Sequence, residues 1–358
     1  MKKFILMALL TLPIITPTIF ANDLSLLSTK GSFLGLMNTL SPVNQRSQFD
    51  FAANIDFTLD LDDNLKGFIQ LQSGAGQGSL GFVGPETVLT DINLEYTHQP
   101  SQSSITFGSF DLPFGKGVNY LTNNADPSKS PFILNSLTYS ALAGPVGTLN
   151  SLGIKVHNTF SIFESTLALT NGTGENASNY NQSFLYLLSL GMNALNNRLF
   201  IGGTYTASND KKDPNESNSF KTNFSGWLLD LNVAILPQVS IKNHIGQLTY
   251  DDGNAATQDK VTITKSEMSY TLNKLFIAGR YSHWRPENNN GNSTGSSADI
   301  KTPGLSLNPI SDTTITRWQV GAGYSINTHT SLRTDIVLDD YQHISDVKGV
   351  IVGINSQF

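Results

Sequence analysis

Fixed charge is the chemistry this sequence offers most plainly. Asp50, Asp56, Asp91 and Glu95 stand in the first third of the chain, and Lys242, Arg280, Arg317, Arg333 and Lys348 in the last. The charged residues sit among apolar ones at alternate positions, the spacing that turns charge to one face of a strand and grease to the other. Opposite charges on two walls of a water-filled space set a field across it that orients polar solutes. Either the two sets face each other in this way, or a sheet that closes on itself pairs them along its wall. Between the sets, Pro113, Pro127 and Pro131 exclude regular ladder pairing, and Lys116, Asn119, Tyr120, Asp126 and Lys129 collect there. Long loops of this kind are usually functional. Residues 113–136 either fold into the enclosed space and narrow it, placing those five side chains beside a passing solute, or lie outward as a surface loop.

Other chemistry is poorly represented. The histidines are His98, His157, His244, His283, His329 and His343, and none stands in a recognisable Ser-His-Asp arrangement. No glycine-rich phosphate cradle, clustered metal ligands or heptad pattern is visible, so no catalytic residue, metal or cofactor is expected. Charged residues are 14% of the chain, 28 acidic against 22 basic. That mildly acidic balance carries no basic face of the kind a nucleic acid requires.

The elements that must hold the charges are strands. Across residues 48–61 the odd positions read Phe49, Phe51, Ala53, Ile55, Phe57, Leu59 and Leu61, and the even ones Gln48, Asp50, Ala52, Asn54, Asp56, Thr58 and Asp60. A period of two held this long exceeds the ordinary strand of about 5 or 6 residues and suits a tilted strand crossing a bilayer, which needs about 9 to 11. The alternation returns around Ile92, Leu229, Ile245, Val320 and Ile336. Roughly 16 strands result, with residues 31–37 and 137–143 the weakest candidates. Short polar connections at 62–64, 99–102, 193–198 and 327–330 alternate with long ones at 210–220, 250–260 and 286–312. Tyr96, Trp227, Tyr281, Trp284, Trp318 and Tyr324 fall near strand ends, where aromatic belts would stand.

The fold class expected is all-β: a closed antiparallel transmembrane barrel around an aqueous lumen. In hydrocarbon every backbone polar group must pair internally, so a sheet spans only if it has no edges. A soluble sandwich or propeller also alternates, but needs neither strands this long nor an export signal. Such a signal is legible at the start: Met1, Lys2 and Lys3, an apolar run over residues 4–12, and a stretch ending at Ala21, the plan of a secretory leader. Residues 1–21 are therefore expected to be removed, leaving 22–358 as the barrel. Cysteine is absent, so backbone pairing and packing must supply the stability.

Two stretches carry a family resemblance. The last ten residues place Val350, Val352, Ile354 and Phe358 in one register, broken at Ser356. This resembles the terminal strand of Gram-negative outer-membrane proteins, and the resemblance implies that Phe358 belongs to the signal read by the barrel-assembly machinery. The run Gly-Ser-Phe-Asp-Leu-Pro-Phe-Gly over residues 108–115 is similar to the Gly-x-Phe-x-x-Pro-Phe-Gly element of phosphate-selective porins and related siderophore-porin barrels. Porin-type passage of small hydrophilic solutes across the outer membrane is what the resemblance implies, with outer-membrane lipid around the barrel and a homotrimer as the analogous assembly. The sequence shows no dense lysine and arginine ladder of the sort an anion channel uses. Uptake of one ligand such as a siderophore or phosphate, without an energising partner, and adhesion through surface loops are the alternative functions.

Overall fold

The computed structural model describes residues 27–39, 48–75, 88–116, 131–134, 136–137, 150–171, 184–209, 223–251, 259–287, 314–342 and 345–357. Within these stand sixteen strands. They are β1 (Leu27–Asn38), β2 (Gln48–Asp62), β3 (Leu65–Ala75), β4 (Val88–His98), β5 (Ser103–Asp111), β6 (Asn150–Phe160), β7 (Phe163–Thr170) and β8 (Leu185–Ala194). They continue as β9 (Leu199–Asn209), β10 (Asn223–Leu236), β11 (Val239–Asp251), β12 (Asp259–Leu272), β13 (Leu275–Glu287), β14 (Ile315–Ser325), β15 (Thr330–Tyr341) and β16 (Val347–Gln357). Each strand pairs antiparallel with its neighbours in sequence, and β1 pairs with β16 from Ser32↔Gln357 to Asn38↔Ile351. No edge is left unpaired in the closed ring. The expected closed antiparallel barrel is thus the observed fold, and residues 31–37 count as a strand.

One face of this sheet is greasy all the way round. Phe51, Ile92, Leu167, Leu229, Val320 and Ile354, drawn from six different strands, are all exposed on it. A continuous apolar belt far exceeds the patches that water-soluble monomers expose and matches a surface covered by hydrocarbon. Tyr96, Trp227, Trp318 and Tyr324 lie on that outer face, and Tyr281 packs against Trp318 with ring centroids 4.8 Å apart. Trp284 departs from expectation: it points inward and is fully buried, because it shares its register with inward Ser282 and Arg280 rather than with Tyr281.

At one end the strands are joined by tight turns, including 63–64, 161–162, 237–238 and 273–274. Left-handed residues Gln102, Ser161, Leu195, Asn196, Asn197 and Asn273 all stand in these tight connections, as the twist of a hairpin requires. The opposite end carries the longer connections. Two of these are shorter than their polar composition suggests, because Tyr250 and Asp251 continue β11, Asp259 and Lys260 begin β12, and Pro286 and Glu287 extend β13. The rest of the expected long loops, the leader 1–21 and Phe358 lie outside the described residues.

The interior is where simple alternation fails. Leu185, Leu187, Phe224, Leu228, Leu248, Val261, Ile263, Ile315, Val337 and Ile351 all point inward and are buried, in one apolar cluster with Leu112, Phe114, Ile133, Leu134 and Leu137. In the loop-end halves of β8 to β16, therefore, apolar residues occupy both faces. Their inner face packs against described residues of the chain between β5 and β6.

Candidate functional site

That connecting chain leaves the wall at a built bend. Pairing between β4 and β5 ends at Ile92↔Ser109, while β5 stays on β6 as far as Asp111↔Asn150. Gly108 has φ +129°, and a Cβ there would collide with the Ile92 carbonyl oxygen. Only glycine takes that conformation and that approach without strain. The chain then turns inward, the Phe114 N–H donating to the Leu112 carbonyl at 2.8 Å.

Residues 112–116 lie along the inner wall of β7 to β10. The Gly115 N–H donates to Thr204 Oγ1 at 3.3 Å, and Phe114 is buried beside Gly226, whose Cβ would stand 3.5 Å from the ring. Lys116 Nζ donates to both Glu164 oxygens at 3.0 and 2.8 Å and lies 4.0 Å from the Phe200 ring centroid.

Residues 131–134 and 136–137 lie on a different stretch of wall, β13 to β15, held by side chains that reach up from it. Asp335 Oδ2 accepts the N–H groups of Ile133 and Leu134 at 2.8 and 2.9 Å, and the Gln319 amide at 2.8 Å. Arg333 donates to the Phe132 carbonyl at 2.7 Å. Arg280 donates to the Leu134 carbonyl and to Gln319 Oε1, and its guanidinium lies 4.2 Å from the Phe132 ring centroid. Ser282 Oγ accepts the Leu137 N–H at 3.4 Å. All of these wall side chains are buried. They satisfy loop backbone groups that burial would otherwise leave unpaired at a cost of about 1–3 kcal/mol each.

The expected site residues differ in where they lie. Arg280, Arg317 and Arg333 point inward but are buried, and Arg317 grips Asp339 through two bonds of 2.6 and 2.7 Å. Lys242 also faces inward, half-buried and 3.8 Å from Glu267. Basic and acidic groups are thus interleaved on the same late strands, so these strands do not present a bare basic wall. A buried charge must find its partner close by, and the register supplies one, as in Arg317↔Asp339 and Glu267↔Arg280. On the early strands Asp56, Asp91 and Glu95 remain half-exposed on the inner face, with Gln70 donating to Asp56 at 2.8 Å and Thr106 to Glu95 at 3.2 Å.

Lys348 is a correction. It is exposed on the outer face, in the register of Val350, Val352 and Ile354 and opposite outward Leu338. It stands at the loop end of β16, where a long cationic side chain reaches the polar layer beyond the hydrocarbon. Asn119, Tyr120, Asp126, Lys129 and the side chain of Asp50 lie outside the described residues. The anchoring groups Glu164, Glu267, Gln319, Asp335 and Asp339 were not singled out by sequence. The pairing of Asp339 with Arg317 follows from strand register, a signal that appears only once neighbouring strands are aligned.

The sequence matches no protein-family model, and no curated protein matches it. Solved structures do share its architecture. The trimer form of OmpT, an outer-membrane protein of Vibrio cholerae, is 11% identical, with a TM-score of 0.66 over 93% of this chain and 99% of that one. The outer-membrane channel DcaP of Acinetobacter baumannii is 10% identical (TM-score 0.64; 93% and 97% covered). The anion-selective porin of Comamonas acidovorans is likewise 10% identical (0.63; 93% and 100%). At such identity the likeness concerns fold. Sixteen antiparallel strands closed into a ring, greasy outside, with the chain after the fifth strand turned inward, give this protein the fold of the porin-type outer-membrane barrels.

Proposed function

We propose that the chain is an outer-membrane channel through which small hydrophilic solutes diffuse, its lumen narrowed by residues 113–136. The observation that carries this reading is the anchoring of one inward segment at two separate places, Lys116 on Glu164 and residues 131–137 on Asp335, Arg333 and Arg280. The reading assigns Asn119, Tyr120, Asp126 and Lys129, which lie between the two anchors in sequence, to contact with the passing solute. The apolar outer belt supports residence in a bilayer, and the kinship of fold with outer-membrane proteins supports the outer membrane as that bilayer. Removal of residues 1–21 on export, recognition of Phe358 during assembly and a homotrimeric state complete the reading. The trimer form described for the Vibrio cholerae protein supports the last of these.

Swelling of liposomes that contain the refolded chain tests the proposal. Small neutral sugars should enter and drive swelling at rates that fall steeply with sugar size. Liposomes that stay osmotically tight to the smallest sugar would contradict it.

A further inference from the structure

The inner wall divides sharply by exposure. Inward side chains of β10 to β15 that carry charge, Asp230, Lys265, Glu267, Arg280, Arg317, Arg333, Asp335 and Asp339, are no more than 3% exposed, and Lys242 alone among the described charges there is half-buried. The loop residues 131–134 and 136–137 lie on those of β13 to β15, where Arg280, Arg333 and Asp335 hold them. Inward charges of β1 to β7 remain wetted: Lys30, Asp56, Asp60, Lys66, Asp91, Glu95, Lys155 and Glu164 are half-exposed or exposed.

We infer that the water path runs off-centre along β1 to β7, and that the carboxylates of β2 to β4 set a preference for cations while the late-strand arginines act only as clamps. This rests on the channel reading above and deepens it. A charge selects among passing ions only when its field reaches the water they travel in. Arg317 is spent on Asp339, while Arg280 and Arg333 hold loop carbonyls, all out of water. Among the described side chains on the wetted side, β1 to β7 turn five carboxylates and three ammonium groups inward, and Lys116 of the loop brings the ammonium count to four. Lys66 stands 3.1 Å from Asp60, Lys116 stands 2.8 Å from Glu164, and Lys155 leans over the Phe110 ring at 5.0 Å. Asp56 and Glu95 accept instead from neutral partners, Gln70 and Thr106; Lys30 and Lys66 face them across the strands, but Lys66 pairs with Asp60, so the two carboxylates keep their charge expressed toward the lumen.

Reversal potentials across planar bilayers bathed in a potassium chloride gradient test this. The unaltered channel should favour potassium over chloride. Asp56→Asn combined with Glu95→Gln should lower that permeability ratio about twofold or more while keeping clear single-channel steps. Arg317→Met combined with Asp339→Leu, which removes the buried pair as a unit and avoids stranding one charge, should leave the ratio where it was. An unmoved ratio in the carboxylate variant, or a shifted one in the arginine-aspartate variant, overturns the inference while the channel stands. Absence of any conductance from the unaltered chain overturns the channel reading itself.

Discussion

At the scale of single residues, Asp335 holds two consecutive backbone groups of the inward segment. One of its oxygens receives two consecutive loop N–H groups and the Gln319 amide, the multiple donation that suits a carboxylate. Asp335→Ala strands three donors in a buried place, at about 1–3 kcal/mol each. We expect the barrel, built from sixteen paired strands, to survive while limb 131–137 loses its seat. Single-channel recordings should then show larger and noisier currents, and thermal unfolding in detergent should begin several degrees lower. Asp335→Asn, which keeps an acceptor, should fall between. Currents indistinguishable from those of the unaltered protein would mean that the clamp has been misassigned.

At the scale of elements, the strands were far more legible than the loop. Residues 48–61 announced β2 because its two faces meet different solvents, so the periodicity survives in the sequence. In β10 the same alternation is blurred at Leu228, between Trp227 and Leu229, since Leu229 meets hydrocarbon while Leu228 is buried in the inward apolar cluster. The prolines flagged residues 113–136 as irregular, yet nothing local says on which side of the wall an irregular segment lies. That depends on Asp335, about two hundred residues away in the chain, and on Gly108, whose role needs the position of Ile92. Lys348 and Trp284 were placed on the wrong faces for a related reason. Near strand ends a polar or aromatic residue is tolerated on either side, and only the register decides.

The absence of cysteine makes the loop's position open to direct chemical test. A Cβ at Gly353 would stand 3.3 Å from Ile133 Cδ1, so cysteines introduced together as Ile133→Cys and Gly353→Cys should join under mild oxidation or with a short bifunctional thiol reagent. The product should migrate differently on a denaturing gel. The facing pair Thr334→Cys and Val352→Cys on β15 and β16 serves as a control for wall geometry. If the control joins and the loop pair does not, residues 131–134 do not lie against that wall.

At the scale of the whole molecule, three features depend on one another. Closure removes every sheet edge, which allows the backbone to stand in hydrocarbon. The apolar outer belt then costs nothing, because no water meets it. Sixteen strands enclose more space than side chains alone fill, and the described parts of the inward segment pack against the inner wall. Its apolar underside explains why the loop-end halves of β8 to β16 are greasy inside, and the charged clamp explains why buried arginines and aspartates are tolerated there. What is left open lies along the early strands. The central claim is therefore a water-filled barrel whose bore is set by its own folded-in segment, and single-channel conductance in planar bilayers tests it most directly. The refolded chain should insert as discrete ohmic steps, and deletion of residues 119–129 should make those steps larger. Steps of unchanged size from a correctly folded deletion variant, or no steps from the full chain, would contradict it.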